Sequence, residues 1–89
     1  MTEVEAVVVN KLGLHARPSA ALSQLATKFA SEVWLTKGSR RINAKSIMGV
    51  MMLAAGRGST LLVQADGPDE QDAASAIAGL IASGFGEDV

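Results

Sequence analysis

The chain has 89 residues, a formal net charge of -1, 48% hydrophobic residues, no cysteine and one histidine. That is one domain, residues 1–89, with apolar content enough for a single core. A disulfide framework is excluded, and one histidine without cysteine leaves no ligand set for a structural zinc. Near-neutral charge and 3% aromatic residues argue against a nucleic-acid surface, although alternating strands and helices also build RNA-recognition domains. The longest apolar run, Ile47 to Ala55, is far short of the roughly 20 residues a membrane span needs. No charged start leads into an apolar signal segment, so a soluble cytoplasmic domain is expected.

The first element is a strand over Val4 to Val9, because Glu3 and Glu5 alternate with Val4, Ala6 and Val8. Asn10, Lys11 and Gly13 then form a loop. A helix runs from about Ala16 to Phe29, with Leu22, Leu25, Ala26 and Phe29 on one face and Ser23, Gln24, Thr27 and Lys28 outward. Glu32 to Lys37 is a second strand, with Val33 and Leu35 on one face and Trp34 and Thr36 on the other. Lys37-Gly38-Ser39-Arg40 suits a tight turn into a third strand over Arg40 to Ala44. Thr60 to Ala65 is a fourth strand, with Leu61, Val63 and Ala65 inward. Asp69, Glu70 and Asp72 crowd the first turn of the last helix, where the dipole favours negative charge, and Gly84 ends it. Ala73, Ile77, Leu80 and Ile81 are its apolar stripe. The order β-α-β-β-α-β-α belongs to the α+β class, a sheet with helices over one face.

Between the third and fourth strands lies Ser46 to Ala55. Ser46 suits a helix N-cap, without the Glu or Gln of a capping box. Ile47 to Ala55 carries no polar side chain, and Gly56 and Gly58 offer a stop. A domain this small cannot bury every face of such a helix. The expectation is that Met51 packs inward with Val50 or Leu53, while Ile47 and Met48 stay exposed for partners.

The chemistry concentrates in Gly13-Leu14-His15-Ala16-Arg17-Pro18. Histidine is the side chain suited to nucleophilic and proton-transfer work near neutral pH. Pro18 pre-sets the first turn of a helix, so His15 sits at its N-terminus, where unpaired N–H groups attract anions. Arg17 adds donors matched to phosphate oxygens. A lone histidine at this place is also commonly just a cap or a surface residue.

The segment Asn10-Lys11-Leu12-Gly13-Leu14-His15-Ala16-Arg17-Pro18 resembles the active-site segment of the HPr family, phosphocarriers of the phosphoenolpyruvate-dependent sugar phosphotransferase system. A second block, Ala44-Lys45-Ser46-Ile47-Met48-Gly49-Val50-Met51, resembles that family's regulatory serine segment, and the separation and chain length agree. The resemblance implies a four-stranded antiparallel sheet ordered 1-4-2-3 with three helices on one face, an open-faced sandwich. It implies that the δ1 nitrogen of His15 takes a phosphoryl group from enzyme I and passes it to an enzyme IIA protein or domain. Backbone N–H groups of Ala16 and Arg17 would orient that group, and the Arg17 side chain would offset its charge. The phosphohistidine is transient and no substrate is turned over, so the domain is a relay component in sugar transport rather than an enzyme. No metal or organic cofactor is called for.

Ser46 is then a regulatory site for the HPr kinase/phosphorylase, and Ala16, Ile47, Met48 and Met51 form a docking surface. Nothing demands more than a monomer. Ser19 stands where the family often has Ala. The ending Ser83-Gly84-Phe85-Gly86-Glu87-Asp88 resembles that of NPr, the nitrogen-related relative, leaving sugar uptake and nitrogen regulation both open. The alternative is a regulatory binding module that docks through Ile47–Met52 with His15 unused.

Overall fold

The computed structural model describes residues 1–87. Asp88, the last residue of the NPr-like ending, and Val89 lie outside the described residues. The elements are β1 (Thr2–Val7), α1 (Ala16–Thr27), β2 (Glu32–Lys37), β3 (Arg40–Asn43), α2 (Ile47–Met52), β4 (Thr60–Asp66) and α3 (Glu70–Ala82), followed by a short 3-10 turn over Gly84–Gly86. The four strands form one antiparallel sheet in the order β1-β4-β2-β3.

Pairing explains which face is buried. Val4 lies opposite Val63, Ala6 opposite Leu61, Val33 opposite Ala65 and Leu35 opposite Val63. These same-face residues meet Leu22 and Ala26 of α1, Val50 of α2 and Ala73, Ile77 and Ile81 of α3 in one core. Glu3, Glu5, Trp34, Thr36, Leu62 and Gln64 alternate onto the uncovered face, where the Arg41 guanidinium stacks 4.2 Å from the Trp34 ring centroid.

Several boundaries move for identifiable reasons. β1 begins at Thr2 and ends at Val7, two residues earlier than the alternation suggests at each end, because Thr2 pairs with Ala65 at the far end of β4. α1 ends at Thr27; the N–H groups of Lys28 and Phe29 bond to Leu25 and Ala26, three residues back, in a tightened last turn. Ser23 faces inward rather than outward: it is 4% exposed, and its hydroxyl donates to the Lys45 carbonyl at 2.7 Å. Lys45 in turn donates to the Phe29 carbonyl at 3.0 Å. α1 is thus fastened to the residue preceding Ser46.

Asp69 occupies the N-cap position of α3, yet its carboxylate does not cap the helix. It accepts instead from the Ala30 and Ser31 N–H groups, both at 2.9 Å, and from the Ser31 hydroxyl, joining α3 to the α1–β2 turn. The Ser31 hydroxyl bond, then the Ala30 N–H bond, hold its carboxyl below the ordinary 3.8. A carboxyl lowered on folding stabilises fully above its unfolded value and loses that contribution as pH falls through the folded value. Asp69→Asn should therefore lower stability at neutral pH and flatten its decline below 3.8. Denaturant midpoints measured across acid pH check this; parallel curves for the two proteins would remove Asp69 from the acid limb.

Candidate functional site

The loop before α1 is built on a buried asparagine. Asn10 is fully buried; its amide donates to the Gly13 carbonyl at 2.7 Å, and the Gly13 N–H returns a bond to the Asn10 carbonyl at 3.1 Å. Gly13 has φ +66° and lies against the backbone of Ala55 and Gly56. The Leu14 N–H bonds to the Ala55 carbonyl at 2.9 Å, and the Leu14 side chain is buried. Ser19 is fully buried and donates to the Leu14 carbonyl at 3.0 Å.

This scaffold places His15 at the N-cap of α1 with extended backbone, φ -73° and ψ -174°. Its carbonyl starts the helix by accepting from the Ser19 N–H at 3.0 Å, while its side chain makes no capping bond. The first N–H groups of any helix lack intrahelical acceptors, and the first turn here contains no acidic residue. Ala16 and Arg17 are exposed. Lys11, Leu12, His15, Arg17 and Glu87 line one shallow depression.

The imidazole is 36% exposed and carries one side-chain partner among the described residues. His15 Nε2 lies 3.1 and 3.2 Å from the two carboxylate oxygens of Glu87. Asn10 Nδ2 donates to the same carboxylate at 3.0 Å. Burial pushes the Glu87 carboxyl up, but the hydrogen bonds from His15 and Asn10, with the charges of His15 and Arg17, outweigh it and hold the group below the usual glutamate range. Sequence reasoning placed Glu87 only in a family-like ending. The sole local hint was the Gly84-Phe85-Gly86 turn that reverses the chain after α3.

Ser46 caps α2 as expected: its hydroxyl accepts the Gly49 N–H at 3.0 Å, and the side chain is exposed. Val50 and Leu53 are the inward residues of this segment, whereas Met51 is 40% exposed, correcting its inward assignment. A helix of six residues has one inward face; Val50 and Leu53 share it at i, i+3 spacing, which turns Met51 away. Ile47, Met48, Met51 and Met52 form the exposed apolar side, and α2 packs beside α1. The carbonyls at its far end are satisfied by cations from the β2–β3 hairpin: Lys37 Nζ donates to Ala54 at 3.1 Å and Arg40 donates to Met52. No cluster of potential metal ligands occurs among the described residues, and no helix is long and apolar enough to cross a membrane.

The family described as "PTS HPr component phosphorylation site" matches residues 2–83. The phosphocarrier protein HPr of Cupriavidus necator is 56% identical over 87 residues, covering 98% of each chain. Among solved structures, HPr-C-His from Thermoanaerobacter tengcongensis superposes with a TM-score of 0.95 at 46% identity over the whole of both chains. Bacillus subtilis Crh, described as a domain-swapped dimer, gives 0.76 at 40% identity over 94% of this chain and 97% of its own. The fold is thus an open-faced sandwich shared with small phosphocarriers. The chain belongs to the HPr family of phosphotransferase-system proteins.

Proposed function

We propose that His15 accepts a phosphoryl group from phospho-enzyme I and hands it to a histidine of an enzyme IIA protein or domain. The observation that carries this reading is a part-exposed imidazole at the mouth of α1 whose side chain is not spent on capping. The Nδ1 lone pair attacks phosphorus as the donor's P–N bond breaks, and that electron pair stays on the donor's ring. N–H groups of Ala16 and Arg17 receive the phosphoryl oxygens, and the Arg17 guanidinium offsets their charge. No metal or organic cofactor takes part. The domain works as a cytoplasmic relay and returns to its starting state after each transfer. No step of this relay calls for a second copy, so the domain acts as a monomer.

Enzyme I and enzyme IIA dock on Ala16, Ile47, Met48 and Met51. The last three are 43%, 69% and 40% exposed, an apolar face beside the histidine helix. Ser46 stands at its edge, and an HPr kinase/phosphorylase there would add about -1.5 to -2 charges to a surface that binds by desolvation. Ser46→Asp should slow acceptance from enzyme I by about tenfold, equivalent to about 1.4 kcal/mol, and leave the fold intact. An unchanged rate would remove the regulatory role and keep the carrier.

The deciding assay incubates the unmodified chain with enzyme I and phosphoenolpyruvate and looks for acid-labile phosphate on His15. The exposed apolar side of α2 favours one competing reading, a regulatory module acting by docking alone. Partner binding without phosphate on His15 would select it.

A further inference from the structure

The chain's last described turn delivers a carboxylate to the imidazole from outside the motif. Gly84, Phe85 and Gly86 have φ of +73°, +59° and +71°. Two of these are glycines, for which the left-handed region is free of penalty. Phe85 is not, and such a residue costs about 1–3 kcal/mol in that region and persists only where its surroundings hold it. Its side chain packs against the core, which holds the turn. The result is that Glu87 arrives with both oxygens within 3.2 Å of His15 Nε2.

We propose that Glu87 is a positioning residue for phosphoryl transfer, fixing His15 in the Nε2–H form so that Nδ1 carries the lone pair. This rests on the phosphocarrier reading of His15. An ionised carboxylate only accepts hydrogen bonds, so the nitrogen facing it must donate. The hydrogen bond made by one ring nitrogen decides the state of the other. Glu87 is itself held: Asn10 Nδ2 donates to it at 3.0 Å and to the Gly13 carbonyl at 2.7 Å, tying the carboxylate to the loop that carries the histidine. During transfer the N–P bond forms at Nδ1, the donor's P–N bond breaks toward the donor, and Nε2 keeps its proton. The ring gains positive charge, which the carboxylate offsets across it.

The test compares the full chain with Glu87→Ala and Glu87→Gln by 15N NMR of the His15 ring at alkaline pH, alongside phosphoryl acceptance from enzyme I. Glutamine keeps one carbonyl oxygen for Nε2 and Asn10 but removes the charge. The unmodified and Gln proteins should show Nε2 protonated and Nδ1 bare. In the Ala protein the ring signals should shift toward the Nδ1–H form, and acceptance should fall by about tenfold, the lower end of the losses found when the partner that orients a metal-bound histidine is removed, with Gln between. Protonation at Nδ1 in the unmodified chain, or an Ala ring spectrum identical to it, overturns the role of Glu87. If the unmodified chain accepts no phosphoryl group, the carrier reading falls and the positioning role with it. Normal acceptance with an unaltered Ala ring sinks the positioning role alone.

Discussion

His15→Ala should abolish phosphoryl acceptance, a loss of at least about a thousandfold, as when the nucleophile of a covalent relay is removed. The described chain offers no second histidine and no cysteine to substitute. Folding should survive. The ring is 36% exposed and makes no capping bond, so α1 keeps its start through the backbone bond from Ser19 to the His15 carbonyl. Asn10 keeps its bond to Gly13, so the loop stays tied. The measurement pairs incorporation of labelled phosphate with a denaturation midpoint. Robust incorporation by the variant would refute the assignment of His15. Loss of incorporation accompanied by unfolding would contradict the packing described for the loop.

Gly13→Ala is the substitution expected to cost most in stability near the site. A methyl group there would run into the Ala55 carbonyl oxygen and stand 2.8 Å from Gly56 Cα, both rigid backbone atoms. The position also has φ +66°, which a side chain disfavours. Relief requires the 10–14 loop to lift from the 54–56 segment, breaking the Leu14 N–H bond to Ala55 and loosening buried Leu14. The combined loss should be about 2–4 kcal/mol, a large part of the about 5–15 kcal/mol that holds a domain of this kind together. Phosphoryl acceptance should drop as well, because the loop sets where His15 stands. Urea unfolding of the variant gives the number; a midpoint within error of the unmodified chain would show that the loop yields without cost.

Local pattern carried most of the architecture. β2 appears with the bounds its alternation suggests, β4 extends one residue further to Asp66, and Leu61, Val63 and Ala65 face inward. Pro18 and the small residues after it located the start of α1, and hence the place of His15. What was illegible depends on partners far along the chain. A serine on a polar-looking helix face turns inward only because the Lys45 carbonyl is there to accept it. Asp69 reads as one of three carboxylates in the first turn of α3 until the Ala30–Ser31 turn is brought against it. Lys37 and Arg40 read only as the flanks of a tight turn, yet they close the end of α2. Met51 faces outward against the expectation, because an all-apolar run has no period from which to read a side. Glu87 lies 72 residues from the histidine it meets, and a local turn signal says nothing about that partner.

The course of β1 sets Met1 and Glu87 far apart as places for a label. The Met1 ammonium pairs with Glu70 at 3.2 Å at the end of the strand away from the 10–14 loop, and six strand residues span roughly 20 Å. A purification peptide or fluorophore appended in front would disturb that ion pair and leave the imidazole untouched. Glu87, by contrast, stands on the rim of the depression that holds His15, so a label carried on its side chain would crowd the imidazole.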